Sequence, residues 1–239
     1  MKKSDQEKNN TNALGPSFAD AVVDYLFLLE RKYPQSSVLK MVGDRYKLSS
    51  IERSVLYRGI ASGDEALKRY QKLTEPQFLR DNELHIDGYN QLITIGSYLN
   101  GNLVFVSNDS ILRDASEIHG KVFRTLLFDK AILLLFAWLD IIRPGSVYFY
   151  FDEPVSHSGD LCLKINQVLT HYHFQGLAIT CKSPDYHLKM MDTGYIATSD
   201  SGIIDRCKVN VIDIARHVLS FHYKKEFLDM RSLVCSLAL

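Results

Sequence analysis

Four aspartates each follow a short apolar stretch of the sequence. They are Asp87 after Glu83 to Ile86, Asp152 after Ser146 to Phe151, Asp185 after Gly176 to Thr180, and Asp200 after Gly194 to Thr198. In an open α/β sheet, loops from neighbouring strands converge beyond the carboxyl ends, so these carboxylates are expected to meet at one edge. Converging carboxylates repel one another and require a compensating cation. The pattern predicts that all four bind Mg²⁺ or Mn²⁺, a site suited to phosphodiester hydrolysis.

Each acid taken alone also has an ordinary structural explanation. Asp87 and Gly88 favour turns for conformational reasons, and Asp200 in Thr198-Ser199-Asp200 is a typical helix N-cap. Asp152 could simply end a strand, and Asp185 could be a first-turn acid that the helix dipole favours. The joint pattern, four acids after four predicted strands, is what favours the metal site.

The elements that would position these acids alternate between strand-length and helix-length segments from residue 83 onward. Predicted strands are Glu83 to Ile86, Leu103 to Ser107, Ser146 to Phe151, Gly176 to Thr180, Gly194 to Thr198 and Val209 to Ile212. Predicted helices are Asn90 to Leu99, Gly120 to Ile142, Ser158 to Phe174, Pro184 to Met191 and Asp213 to Tyr223. This rhythm is typical of βαβ units, so we expect an α/β fold with a mostly parallel central sheet flanked by helices.

A helical segment precedes the predicted sheet. Residues 1–16 are polar and predict a disordered tail. Ser17 is expected to cap a helix ending near Tyr33, and a second helical region, with interruptions near Gly43 and Ser49, follows to Lys72. Ser49 and Glu52 have the spacing of a capping box. The predicted domains are therefore a tail (1–16), a basic helical segment (17–80) and an α/β domain (81–239).

Basic side chains are concentrated in this helical segment. Residues 31–58 contain seven Lys and Arg against two Asp and Glu, a net charge of +5, although the whole chain has a formal net charge of +0. Arg45, Arg53 and Arg58 are candidates for binding RNA phosphates, with salt-sensitive affinity, or are solvated helix faces. Arg113 could contact phosphate or form a surface pair with Asp114 of small energetic value.

Composition excludes several other classes of protein. The four cysteines form no C-x-x-C pair, which argues against a zinc knuckle and for reduced thiols in the cytoplasm. The longest apolar run, Ala131 to Leu139, is too short to cross a bilayer and predicts a buried helix without a membrane partner. G-x-S-x-G, G-x-G-x-x-G and Walker A motifs do not occur in the sequence.

The acidic segments resemble the NYN/PIN-like ribonuclease superfamily over roughly Glu83 to Ser220. Ile86-Asp87-Gly88-Tyr89-Asn90 resembles its first-strand motif, Phe151-Asp152 its second acidic strand end, Ser183-Pro184-Asp185 its helix-opening acid, and Ala197-Thr198-Ser199-Asp200 its closing motif. The resemblance implies a PIN-like fold in which Asn90, Thr198, Ser199 and Asp205 support the four metal-binding aspartates. The chain is also similar to a group of archaeal and bacterial proteins that join a basic helical segment to this domain.

This sequence departs from the family's pattern at two places. The family often has two adjacent acids where this chain has Pro184-Asp185-Tyr186, and the segment from Asn100 to Gly120 has no family counterpart. The hypothesis is a metal-dependent ribonuclease that hydrolyses RNA through its aspartates. The alternatives are a catalytically silent RNA- or protein-binding module of the same fold and a metal-dependent phosphohydrolase acting on a small phosphate ester.

Overall fold

The computed structural model describes residues 14–115, 126–153, 155, 158–224 and 226–237. These residues form two compact units. The helical unit takes its described residues from Met1–Tyr70, Asn100–Glu117 and Glu226–Leu239, and the sheet unit takes them from Gln71–Leu99 and Ile118–Lys225. The predicted tail lies outside the described residues except for residues 14–16. The sequence-based boundary after residue 80 did not include the two later segments of the helical unit.

The strands and helices follow the chain in this order. The strands are β1 (Glu83–Asp87), β2 (Val104–Val106), β3 (Leu112–Asp114), β4 (Ser146–Asp152), β5 (Gly176–Cys181), β6 (Tyr195–Ala197), β7 (Val211–Ile212) and β8 (Leu228–Asp229). The helices are α1 (Phe18–Glu30), α2 (Gln35–Arg45), α3 (Ser50–Gly59), α4 (Gly63–Gln71), α5 (Gly88–Leu99), α6 (Leu126–Ile142), α7 (Ser158–His171), α8 (Pro184–Lys189), α9 (Ser201–Ile204), α10 (Ile214–Tyr223) and α11 (Met230–Leu237). A short 3-10 helix spans Pro76–Leu79.

The sheet unit is built on a central sheet of parallel strands. Among the described residues this sheet has five strands in the order β5-β4-β1-β6-β7. Ile86 of β1 is level with Phe149 of β4 on one side and with Ala197 of β6 on the other. The fold is thus α/β with a parallel sheet between helices, and the prediction of fold class is confirmed.

One face of the sheet is strongly apolar and packs against helices. Leu84 and Ile86 of β1 and Phe149 and Phe151 of β4 are fully buried. Helix α5 contacts β4, and α7 contacts both β4 and β5. Phe149 stacks on Phe136 of α6, with ring centroids 5.8 Å apart. Because the fully buried residues alternate along each strand, the residues between them, including Asp87 and the β4 residues on either side of Phe151, belong to the opposite face.

Helix α6 contains the longest apolar run of the chain. Ala131, Leu135 and Leu139 are fully buried, as predicted, whereas Leu133 and Ile141 on the other side are each 59% exposed. In the described ranges, no helix is long and apolar enough to span a membrane.

The helical unit has its own hydrophobic core. Tyr25 of α1, Leu56 of α3, Phe105 of β2 and Met230 of α11 are buried in one cluster. Strand β2 pairs antiparallel with β3 and parallel with β8, which gives a small sheet of order β3-β2-β8. The strand predicted at Leu103 to Ser107 therefore exists, but it belongs to this small sheet and not to the central one.

The N-terminal helices differ from the prediction at their ends. The capping box is confirmed, because Ser49 and Glu52 exchange hydrogen bonds at the start of α3. Ser17 precedes α1, but its side chain makes no capping hydrogen bond. The interruption predicted near Gly43 is wrong, since Gly43 lies inside α2. A Cβ there would come within 2.1 Å of the Arg53 guanidinium, the end of a flexible side chain, which would have to shift.

Candidate active site

The structure brings the four predicted aspartates to the carboxyl edge of the central sheet. Asp87 is the last residue of β1 and is level with Tyr150 of β4, two residues before Asp152 at the end of that strand. Asp200 follows β6 and precedes α9, and Asp185 lies in the first turn of α8, directly after β5. β4, β1 and β6 are neighbours, so their acids share one edge.

The charges of these aspartates affect one another. Burial raises the pKa of Asp87 to about 7, and the negative charges of Asp200 and Asp185 also raise it. Burial, together with the charge of Asp185, raises the pKa of Asp152. Asp87 and Asp152 are partly buried, whereas Asp185 and Asp200 are exposed. The edge therefore concentrates negative charge around a carboxylate that is poorly hydrated.

Asp87 is held by two hydrogen bonds from neighbouring elements. The Thr198 hydroxyl donates to Asp87 Oδ2 at 2.9 Å, and the Asn90 backbone N–H donates to Oδ1 at 3.4 Å. Thr198 is fully buried, and its hydroxyl also accepts from the Asp200 backbone N–H at 3.1 Å. Among the described residues Asp87 forms no ion pair, so no cationic side chain offsets its charge.

Asn90 and Ser199 connect the start of α5 with the end of β6. Asn90 Oδ1 accepts from the Ser199 backbone N–H at 2.8 Å and from the Ser199 hydroxyl at 3.0 Å. Three of the four residues predicted to support the site, Asn90, Thr198 and Ser199, thus bond to one another or to the acids. The fourth, Asp205, is exposed at the end of α9.

Asp200 and Asp185 also have the structural roles that their positions suggest. Asp200 Oδ1 accepts from the Gly202 and Ile203 backbone N–H groups, at 2.6 and 3.3 Å, and caps α9. Asp185 pairs with Lys189 one turn later in α8, at 3.1 Å. The helix-cap and first-turn explanations are therefore correct for these two residues. Asp87 accepts from the third residue of α5 at a longer 3.4 Å, and Asp152 neither caps a helix nor lies in a first turn.

Gly88 does not form the turn that Asp87-Gly88 suggests. It is the first residue of α5, and a Cβ at this position would come within 2.3 Å of the Phe151 ring. The glycine allows that ring of β4 to lie against the start of the helix. The close contact keeps the end of β4, where Asp152 lies, next to the end of β1, where Asp87 lies.

The acidic edge offers carboxylates to a divalent cation without enclosing it. Among the described residues, no group of three or more His, Cys, Asp or Glu side chains is arranged to enclose a metal ion. Mg²⁺ needs less than such a cage, because it is commonly held by one or two carboxylates and keeps several waters. The raised pKa of Asp87 beside two further acids is the observation that fits a cation at this edge.

The predicted RNA-binding arginines all lie in the helical unit and all have acidic partners. Arg45 pairs with Asp24 at 3.5 Å, Arg53 with Asp44 at 2.9 Å and Arg58 with Asp114 at 3.2 Å. The Arg45 side chain is 70% exposed, so its guanidinium remains available to solvent.

Arg113 differs from the other three arginines because it is buried. Its guanidinium donates to both carboxylate oxygens of Asp109 at 2.8 Å and also contacts Ser107. Arg113 and Asp114 are 3% and 2% exposed, so the expected surface pair is wrong. The Arg113 guanidinium is used inside the helical unit, and this placement gives no support to a phosphate contact.

Gln91 is a residue of the site that sequence reasoning missed. It is fully buried in α5, next to Asn90, and donates from Nε2 to Asn90 Oδ1 at 2.8 Å. Its Oε1 accepts from the Ala215 backbone N–H at 3.0 Å. The available signal was a second amide directly after Asn90, in a largely apolar helix.

Two family models match the chain, and they meet near the boundary at residues 70 and 71 between the two units. A family model described as a domain of unknown function, DUF5616, matches residues 76–217, more than half of the chain. The chain belongs to the DUF5616 family. A second model, the protein of unknown function DUF434, matches residues 17–72. The four aspartates lie in the DUF5616 match, and Arg45, Arg53 and Arg58 lie in the DUF434 match.

A relative matches most of this chain. The uncharacterized protein MJ0935 of Methanocaldococcus jannaschii is 32% identical over 212 residues, which cover 87% of this chain and 100% of that protein. The similarity therefore includes both the helical N-terminal region and the aspartate-bearing region. No solved structure matches the chain.

Proposed function

We propose that this DUF5616 protein is a Mg²⁺- or Mn²⁺-dependent ribonuclease of NYN/PIN-like type. The observation that supports this most is Asp87, a partly buried carboxyl group with a pKa raised to about 7, next to Asp185 and Asp200. A structural aspartate in such a position normally has a cationic partner, because burying an unpaired charge is costly. Strongly perturbed carboxyl groups at an open sheet edge are typical of functional sites.

The four aspartates have different roles in the proposed cation site. Asp87 and Asp152 are its first candidate ligands, because they end adjacent strands and are both partly buried. Asp200 and Asp185 add negative charge from the flanking loops, while Thr198 fixes the Asp87 carboxylate. The metal would activate a water and stabilise the leaving oxygen of the phosphodiester.

RNA as the substrate is supported by the helical unit. Arg31, Lys32, Lys40, Arg45 and Lys47 are exposed in or beside α1 and α2. Exposed cationic side chains neutralise phosphates and release counterions, so we expect RNA affinity to fall steeply with salt. A small phosphate ester would contact few of these five side chains at once.

The test compares how fast the wild type and three variants cleave a labelled single-stranded RNA. The assay contains Mn²⁺ at about 5 mM. Asp87→Asn and Asp152→Asn should each lose cleavage by about 10³-fold or more, because the cation loses a charged ligand. Asp192→Asn is the matched control, since this exposed aspartate precedes β6 at the opposite edge. Wild-type rates in both site variants would refute the proposal.

A catalytically silent binding module is the second candidate function. It is favoured by the finding that the described residues contain no group of three acidic, His or Cys side chains that could enclose a metal. Calorimetric titration with Mn²⁺ separates the two functions: binding that Asp87→Asn removes supports the nuclease. Salt-sensitive RNA binding without any Mn²⁺ binding supports the module. Hydrolysis of nucleoside monophosphates in preference to RNA would instead indicate a small-substrate phosphohydrolase.

A further inference from the structure

The side-chain oxygen of Asn90 is fully used by hydrogen bonds within the protein. It accepts from the Ser199 backbone N–H, the Ser199 hydroxyl and Gln91 Nε2, at 2.8, 3.0 and 2.8 Å. An amide oxygen has two lone pairs, so three donors saturate it. A metal ion at this oxygen would have to displace donors that are themselves buried or partly buried.

Two backbone N–H groups determine which way the amides point. Backbone N–H groups only donate, so the Asn90 atom facing Ser199 must be the oxygen. In the same way, the Gln91 atom facing the Ala215 N–H must be Oε1, which leaves Nε2 to donate to Asn90. The two side-chain assignments agree with each other, so the usual ambiguity of amide orientation does not arise.

The amide nitrogen of Asn90 is consequently directed away from Ser199 and Gln91. Among the described residues Nδ2 has no hydrogen-bond partner, and Asn90 is only partly buried. The backbone N–H of the same residue contacts Asp87 Oδ1, so this unused donor lies beside the acidic edge. A fixed N–H donor next to a cation-binding carboxylate is the arrangement that stabilises an oxyanion.

We infer that Asn90 is a substrate-binding residue that donates from Nδ2 to a phosphate oxygen, and that Gln91 is the positioning residue that fixes this orientation. The inference rests on the proposed nuclease function and adds a specific role to it. Gln91 is fully buried, and its amide bridges the start of α10 at Ala215 to the site. A donor held this way requires no reorganisation when negative charge develops on the phosphate.

Asn90→Asp is the decisive variant because it keeps the acceptor oxygen and replaces the donor, with one added negative charge for which a second variant controls. A carboxylate still accepts all three hydrogen bonds, so the protein should fold, but the donor becomes an oxygen. We expect RNA cleavage to fall by about 10²-fold, as when an oxyanion donor is removed, with Mn²⁺ affinity unchanged or higher. Asn210→Asp is the control, because it adds the same charge at an exposed position before β7. If Asn90 were a metal ligand through its oxygen, Asn90→Asp would cleave at the wild-type rate or faster, and this result overturns the inference.

The role of Gln91 is tested with a double-mutant cycle. Gln91→Met removes the donor to Asn90 and should lower kcat by about tenfold, the low end of the effect of loosening an oriented donor, with Mn²⁺ affinity unchanged. In the Asn90→Asp background the same change should lower kcat no further, because the donor it positions is already absent. Equal losses of kcat in both backgrounds would show that Gln91 acts independently of the Asn90 donor, and this result overturns its positioning role.

One measurement separates this inference from the proposed function. The side-chain amide resonance of Asn90 is followed by NMR while inorganic phosphate is added to the full chain with Mg²⁺. A shift in a wild type that does not cleave RNA would end the nuclease proposal and keep Asn90 as an oxyanion donor. Cleavage with no shift and no effect of Asn90→Asp would end the inference alone, and the absence of both cleavage and shift overturns both.

Discussion

Asp87 in the sheet unit and Asp109 in the helical unit are aspartates removed from water, and they meet opposite surroundings. Burial alone would raise the pKa of Asp109, but the charge and hydrogen bonds of Arg113 outweigh it and lower that pKa. Asp87 has a hydroxyl and a backbone N–H as donors, and its pKa is raised to about 7. The difference lies in the cation that the described residues supply to Asp109 and not to Asp87, and for this reason we propose Asp87 as the functional carboxylate.

The largest expected effect comes from breaking the Asp109 pair. Arg113→Met removes the forked guanidinium and leaves Asp109, 1% exposed, with the more distant Arg69 at 3.5 Å. We expect the free energy of unfolding to fall by about 3–5 kcal/mol, because an uncompensated buried charge remains. Urea denaturation measures the loss, and a loss under 1 kcal/mol, about the value of a surface pair, would contradict the structural role.

Adding Mn²⁺ should raise the free energy of unfolding by supplying Asp87 with a cation. At a Mn²⁺ concentration about one hundred times its Kd, the wild type should gain about 2.7 kcal/mol at pH 8. The gain should shrink at pH 5, because Asp87 then holds a proton that the metal must displace. Thermal unfolding at the two pH values measures this difference. A gain that is equal at both, or that survives in Asp87→Asn, would place the cation elsewhere.

Removing the charge of Asp87 should stabilise the metal-free protein. Between about pH 4 and pH 7, the folded state keeps a proton on Asp87 that the unfolded state has lost. The free energy of unfolding of the wild type should therefore fall as the pH rises through this window and level off above it. At pH 8, Asp87→Asn should raise it by about 1–3 kcal/mol, whereas activity is lost. Denaturation in EDTA at pH 5 and 8 is the measurement, and a variant less stable than the wild type at pH 8 would contradict it.

Arg45→Gln should have the smallest effect on stability. Its pair with Asp24 is exposed, so the free energy of unfolding should change by less than about 0.5 kcal/mol. RNA affinity should fall a few-fold. The slope of log affinity against log salt concentration should become shallower by about one, the value for one lost phosphate contact. Filter binding across a salt series measures this slope. An unchanged slope would show that RNA phosphates do not contact Arg45.

Local pattern predicted much of the fold. The strands at β1, β4, β5, β6 and β7 and the helices between them follow from apolar runs and their lengths. The acidic edge followed as well, because parallel strands carry the residues after them to one side. The sequence has no local signal for partners far along the chain, which is why the pairing of β2 with β8 was missed.

The wrong prediction for Arg113 and the omission of Gln91 have the same cause. Arg113 reads as an exposed charge until the segment that buries it is known, and Gln91 reads as an ordinary helix residue until Ala215 meets it 124 positions later. Their roles depend on tertiary neighbours, and periodicity carries no information about these.

The helical unit is completed by the last residues of the chain. Phe105 and Met230 lie so close to Gly59 that a Cβ there would meet them at 2.8 and 3.3 Å. A fragment cut at residue 72, where the DUF434 match ends, would lack both side chains and expose Leu56 and Tyr25 to water. During synthesis, the core of these N-terminal helices is completed only when the last part of the chain has been made. A version of the protein expressed as two fragments therefore has to keep residues 226–237 together with the N-terminal helices.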